Sequence, residues 1–208
     1  MMFRNTMILL LLGIFYAMST NAQQCIYTKL SKEHNFKISY ILIKDTDLNN
    51  PFRTRKLTLT ISNKKRKLIQ QIKLNTNILY DDVFKKDTSS RSYITNFNTQ
   101  ADVPDYDYGD LIIADLNFDG KEDIALKFDS GGNGGPLYKF YLQNNRGTFD
   151  LSGYLTDYIG SFPANINSKN KTLTTQIHAN VHQESRKTYK FNPQTKKWRL
   201  LKSVMIEA

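Results

Sequence analysis

The chain has 208 residues, with 29 Lys and Arg against 19 Asp and Glu, so its formal net charge is +10. Hydrophobic residues make up 40% of it, enough for one sizeable core and too many for an intrinsically disordered polymer. A single cysteine excludes a disulfide scaffold and any Cys-rich zinc module, while 12 Tyr and 12 Phe favour pleated, half-buried surfaces over a helical bundle.

Residues 1–22 read as a signal peptide. Arg4 supplies a positive start, Met7 to Met18 is almost wholly apolar, and Thr20-Asn21-Ala22 offers a cleavage point before Gln23. The apolar run is roughly 12 residues, short of the ~20 that cross a bilayer, so no transmembrane span is expected in the mature chain. The expected product is a single exported domain, residues 23–208, periplasmic or secreted. Lipidation at Cys25 would need a small residue before it, and Gln24 stands there. Otherwise Cys25 is read as a buried or idle thiol, the alternative being an intermolecular disulfide.

Period-two alternation recurs along the rest. Phe36–Leu42, Lys56–Ser62 and Lys67–Leu74 read as strands, the last two joined by a turn at Asn63-Lys64-Lys65-Arg66. Asn77–Lys86 has a short helix-like spacing, and Asp87–Asp110 reads as a long polar connection. Leu111–Ala114 pairs with Ile124–Phe128. Tyr138–Leu142 turns at Asn144-Asn145-Arg146-Gly147 into Phe149–Leu151. Thr172–His178, Thr188–Asn192 and Trp198–Ile206 close the chain, the last two flanking a Pro193–Lys196 turn. Ten or more short strands joined by turns predict an all-β fold: a sandwich, a barrel or a propeller with strongly diverged blades.

The signal peptide contains one Arg and no acid, so 28 basic residues against 19 acidic leave the mature chain at +9. Its charge is uneven. Between Asp102 and Asp129 nine acids face only Lys121 and Lys127, a local −7, which leaves +16 on the remainder. Like charges this close raise the free energy of the compact state, and a bound cation is the simplest remedy. Asp115-Leu116-Asn117-Phe118-Asp119-Gly120-Lys121-Glu122-Asp123 supplies the pattern. Ca²⁺ takes six to eight oxygens at about 2.3–2.6 Å. Asp115, Asn117 and Asp119 occupy the first, third and fifth positions of such a loop. Gly120 takes the sharp sixth position, Lys121 offers its carbonyl, and Asp123 at the ninth closes the cage. Position twelve is Leu126, not the Glu of a helical calcium loop, so this is the version set between two β-strands. The expected cofactor is calcium in a structural role, with affinity on the order of 10⁻⁴–10⁻³ M as in extracellular modules. An acidic turn with no ion is the alternative, since Asp, Asn and Gly all favour turns.

A glycine loop follows: Ser130, Gly131, Gly132, Asn133, Gly134, Gly135, then Pro136-Leu137-Tyr138. So many glycines are costly in chain entropy and fit either a protruding recognition loop or a structural turn beside the calcium loop. A phosphate cradle is disfavoured, because no Gly-Lys-Ser/Thr and no helix follow. His178 and His182 lie about 13 Å apart if extended, too far to share a metal, and His34 is isolated in the sequence. No Ser-His-Asp arrangement, zinc-protease signature or nucleophile elbow occurs, so the chain is not expected to be an enzyme; a paired-carboxylate glycosidase is the third-ranked reading. Lys64–Lys67 sits on a hairpin turn, and an exported chain is not expected to bind nucleic acid.

Leu111-Ile112-Ile113-Ala114 leading into the acidic loop, then the glycine loop with Tyr138 and Tyr141 after it, resembles a family of exported bacterial proteins. These are related to the calcium-binding lysozyme-inhibitor β-propeller of Xanthomonas. The match covers roughly Asp110 to Tyr141. It implies a five-bladed propeller, one structural calcium held by Asp115, Asn117, Asp119, the Lys121 carbonyl and Asp123, and inhibition of lysozymes. The Ser130–Tyr138 loop is the candidate for entering a lysozyme cleft. A net +9 opposes long-range attraction to a basic lysozyme, although the acidic Asp102–Asp129 stretch offers a local negative face. The alternative is an envelope glycan-binding module using Tyr106 and Tyr108.

Overall fold

The computed structural model describes residues 23–43, 53–79, 84 and 89–207. The signal-peptide reading therefore lies outside the described residues, as does most of the helix-like stretch at 77–86, whose first residues instead finish a strand. Thirteen strands among the described residues form two open sheets, one of nine strands and one of four. Among the described residues no helix is long and apolar enough to cross a membrane.

β1 (Gln23–Tyr27), β2 (His34–Leu42), β3 (Arg53–Asn63) and β4 (Leu68–Ile78) make an antiparallel meander. Period two decides its buried face. Phe36 lies opposite Ile61, Ile38 opposite Leu59, and Tyr40 opposite Leu57; Leu59 and Leu57 in turn face Ile72 and Leu74. Most of these side chains are fully buried, each burial worth about 1.5–3 kcal/mol. The Asn63 turn is as predicted, with Arg66 at φ 64° donating its N–H to the Asn63 carbonyl at 2.9 Å. Cys25, half-buried on β1 opposite Ile38, packs against this core.

β6 (Leu111–Ala114), β7 (Asp123–Asp129), β8 (Leu137–Gln143) and β9 (Phe149–Leu151) make a second antiparallel meander. Its first strands, β6 and most of β7, are buried on both faces, which is why β6 reads as a continuous apolar run. Leu111, Ile113, Ile124 and Leu126 join the first core; Ile112, Ala114, Ala125 and Phe140 join a second. β10 (Asn165–Asn167), β11 (Thr172–Asn180), β12 (Gln183–Asn192) and β13 (Lys197–Glu207) form the four-stranded sheet, which closes that second core with Leu173 and Phe191.

The long polar connection expected at Asp87–Asp110 is partly structured. β5 (Ser90–Ser92) pairs in parallel with β6, and Pro104–Tyr106 forms a short 3₁₀ turn. The five-bladed ring is not formed by the described residues. Parallel pairing at Asn77 and Asp129 stitches the first two meanders edge to edge, whereas propeller blades pack face to face. What stands is an all-β fold of three four-stranded meanders in two open sheets.

Candidate functional site: an acidic hairpin loop and the cleft beside it

The acidic loop joins β6 to β7, with Ala114 opposite Asp123 at its base, so the predicted strand context holds. Along it the residues alternate in duty. Leu116 and Phe118 are buried in the second core, while Asp115, Asn117 and Asp119 face outward. The outward oxygens fold the loop onto itself. Asp115 accepts the N–H of Asp119 at 3.0 Å and of Gly120 at 2.9 Å; Asn117 Oδ1 also accepts Asp119 N at 3.0 Å, and Asp119 accepts Lys121 N at 2.9 Å. Gly120 has φ +84°, a left-handed conformation that strains any side-chain-bearing residue.

Asp123 is fully buried and acts as a strut. Its Oδ2 accepts Leu116 N at 2.8 Å and Asn117 N at 3.3 Å, and its Oδ1 accepts Gln143 N on β8 at 2.9 Å. Burial pushes its carboxyl up to about 7 despite these hydrogen bonds, and the charges of Asp119 and Asp115 add to the rise. Burial likewise raises Asp115, with Asp119 adding. Among the described residues no three His, Cys, Asp or Glu side chains are gathered as metal ligands. The donors are hard oxygens, the chemistry Ca²⁺ selects, and their mutual repulsion is what a divalent cation relieves.

Three residues of the loop reach other parts of the molecule, and the sequence did not announce any of these contacts. Glu122 enters a buried cluster with Ser31, in the β1–β2 connection, and His34, the first residue of β2. It accepts the Ser31 hydroxyl, His34 Nδ1 lies 3.0 Å away, and Lys32 N donates at 3.0 Å. Burial alone would raise Glu122, but the bonds from His34, Ser31 and Lys32 outweigh it and hold the carboxyl below its ordinary range. His34 is thus not isolated. Phe118 contacts Phe191 at 6.5 Å and Trp198 at 6.1 Å between ring centroids, and its carbonyl accepts Lys171 Nζ at 3.2 Å. Asp123 completes the set through β8.

A second buried ionic group lies behind the loop. Lys127 Nζ sits 2.7 Å from Asp107 and 2.8 Å from Asp110, whose other oxygen accepts Phe84 N at 2.8 Å. Burial would lower Lys127, yet Asp110 and Asp107 together raise it above its ordinary value.

The glycine loop leaves β7 and packs beside the Pro104–Tyr106 turn and the β11–β12 hairpin. Gly131 has φ +64°, and a Cβ there would lie 2.0 Å from the Gly135 carbonyl, so the loop closes on itself only with glycine. Ser130 N donates to Asn77 O at 3.1 Å and Ser130 Oγ accepts Leu79 N at 2.8 Å, tying the loop to the end of β4. Between these walls lies an open cleft of about 700 Å³. Ser130, Gly131, Gly132, Asn133 and Gly135 line one side; Asp105, Asp107, His178 and Asn180 line the other. Gly134 lies behind, near Ile177.

Tyr138, the aromatic end of the candidate Ser130–Tyr138 loop, offers no surface to a partner. It is fully buried, donates its hydroxyl to Gly109 O at 3.0 Å and holds the loop from below. Tyr106 and Tyr108 are likewise not an open platform. Tyr108 is buried against Phe162, and half-buried Tyr106 donates to Glu184 and packs against His178. Among the described residues the most exposed aromatic is Tyr158, 74% accessible, at the end of a stack running through Tyr154 to Trp198. It sits on a six-residue π-helix, Tyr154–Ile159, too short to show a period in sequence.

No family model matches the chain, and no curated protein matches it significantly. Among solved structures the chain is similar to that described as the structure of a Xanthomonas type IV secretion system related protein. The TM-score is 0.55 at 16% identity, over 90% of this chain and 83% of that one, a likeness of fold.

Proposed function

We propose that this is an exported, calcium-stabilised β protein that acts by binding another protein, with a lysozyme as the leading partner. The cleft carries the reading. It is built from loops on a rigid sheet, its walls combine glycine backbone and polar groups with Leu79, Pro104, Pro136 and Val181, and its freely exposed charge is Asp105, whose carboxylate is 90% accessible. A basic loop of a partner fits that lining, and the surrounding Asp102–Asp129 segment extends the negative field around it. The fold likeness to a Xanthomonas protein supports kinship with the resembled family, and the four-stranded meanders are the size of propeller blades. Lysis of bacterial walls by several lysozymes, with and without stoichiometric protein, tests it. Slower lysis that Asp105→Lys restores is the expected result; undiminished lysis removes the inhibitor reading.

Calcium belongs to the same proposal, held by Asp115, Asn117, Asp119, the Lys121 carbonyl and Asp123. Its support is the loop's self-closed geometry and its unrelieved carboxylate repulsion. Asp119→Ala in millimolar calcium is expected to melt near the temperature of the chelated wild type. Identical melting of the wild type with calcium and with chelator would contradict a structural ion.

The glycan reading now rests on different residues. The Tyr158–Tyr154–Trp198 stack presents an open ring face suited to a sugar, so retention on insoluble peptidoglycan that Tyr158→Ala abolishes would favour it.

A further inference from the structure

β13 is an 11-residue strand at the end of the order β10-β11-β12-β13, and among the described residues it pairs with β12 alone. Its outer edge therefore offers a row of unpaired N–H and C=O groups. Natural proteins blunt such edges with short strands, prolines, bulges or edge lysines; β13 is long, lacks proline and exposes Leu200, Leu201 and Met205 by about half each, while its own bulge and cations turn away every strand except an acidic one.

The register adds a second observation. Tyr189 faces Leu200 and Thr188 faces Lys202, so Leu201 is an extra residue, a β-bulge. Without it, Arg199 and Lys202, three apart, would point to opposite faces. With it they share a face with Lys190, which stands directly opposite Arg199, and with Arg186 opposite Val204. Like charges directly opposed destabilise a sheet. No ion pair relieves Lys190, Arg199 or Lys202 among the described residues. From Asn165 to Glu207 nine Lys and Arg face only Glu184 and Glu207, a net +7.

We propose that β13 is a docking edge for an extended acidic segment of a partner protein, which adds as a fifth strand with its carboxylates over Lys190, Arg199 and Lys202. Charge selects this occupant over a second copy, whose sheet would bring +7 against +7. The surface is separate from the acidic loop and its cleft, and the inference does not depend on the reading given to them.

The test uses the full chain and a fluorescein-labelled ten-residue peptide alternating Glu and Thr, which places every carboxylate on one face of a strand. Anisotropy is expected to show saturable binding that Arg199→Glu with Lys202→Glu weakens at least tenfold. The same peptide N-methylated at every residue keeps its charges but loses its N–H donors, and is expected to bind at least tenfold more weakly. Amide exchange should slow along β13 when the unmodified peptide binds. Equal binding of the two peptides, or equal displacement by dextran sulfate without β13 protection, overturns strand addition in favour of plain polyanion attraction. Absence of binding overturns the proposal outright, and a dimer in sedimentation that protects β13 without peptide assigns the edge to a second copy instead. Both substituted side chains are exposed, and far-UV circular dichroism confirms that the variant folds.

Discussion

Replacing Glu122 by Gln removes one charge from a buried cluster without changing its shape. One carboxylate accepts from Ser31 Oγ, Lys32 N and His34 Nδ1. Gln retains one oxygen, enough for Lys32 N, and turns an amide N–H₂ toward Ser31. Ser31 Oγ already accepts Glu33 N at 3.0 Å and His34 N at 2.7 Å, so it has no lone pair free for that donor. The Ser31 hydroxyl then loses its charged acceptor, and the acceptor left to the amide is His34 Nδ1, which must give up its own proton to take that role. A hydrogen bond to a charged group contributes about 1.5–3 kcal/mol, and the net cost expected is about 2–3 kcal/mol. For a domain of this size that lowers the melting temperature by roughly 5–10 °C. The pH dependence has a definite sign. Glu122 is held below its ordinary pKa, so its contribution is present above the unfolded value and disappears as pH falls through the folded one. The gap between wild type and variant should therefore be full at pH 7 and narrow as pH falls below the ordinary Glu value of about 4.3. Calorimetry at pH 7 and in acid, at fixed calcium, decides it. A shift under about 1 °C at pH 7, or a gap unchanged in acid, refutes the reasoning.

Other substitutions probe the same framework. Lys127→Ala leaves Asp110 buried without its cation and should cost about 3–5 kcal/mol in urea unfolding. Because the folded pKa of Lys127 is raised, its contribution should persist through neutral pH and be lost only in strong alkali, as pH rises through that folded value. Gly131→Ala forces φ +64° on a Cβ that meets the Gly135 carbonyl; about 1–2 kcal/mol from the backbone alone is expected, with amide shifts spreading through Ser130–Pro136 by NMR. Phe118→Ala empties the contact with Phe191 and Trp198 and should destabilise by about 3–5 kcal/mol, with Trp198 fluorescence shifting toward that of water-exposed indole.

Strands were legible wherever one face is buried and the other wet. Phe36, Ile38 and Tyr40 alternate with Lys37, Ser39 and Ile41, and that pattern alone places β2. β5 was not legible, because Ser90-Arg91-Ser92 carries no apolar signal. Its pairing on β6 and the bonds from Arg91 to the Ala101 and Asp102 carbonyls are tertiary. Sheet assembly was hidden for a related reason: the parallel joint between β4 and β7 pairs Asn77 with Asp129, two polar residues far apart in the chain. Within the site, the hairpin context and the backbone-folding oxygens of Asp115, Asn117 and Asp119 follow from local spacing. The clasp between Glu122 and His34 spans 88 residues, and no local rule predicts it. Burial of Tyr108, in the connection before β6, and of Tyr138, on β8, escaped for the same cause, since neither local pattern tells whether a second core covers the tyrosine.

The loop's nine residues divide their labour in a way that bears on what an ion there would do. Position four, Phe118, reaches the sheet of β10–β13; position eight, Glu122, reaches the β1–β2 connection; position nine, Asp123, reaches β8. Each of the three meanders is thus fastened to one short hairpin loop. The fastening carries an internal conflict, since burial raises Asp123 and the charges of Asp119 and Asp115 add to the rise. On the calcium reading, relieving that repulsion steadies all three attachments at once. Chelation would then loosen amide protection in β2, β8 and β12 together. A purely local ion site would instead confine the change to residues 115–123, and hydrogen exchange with and without chelator separates the two.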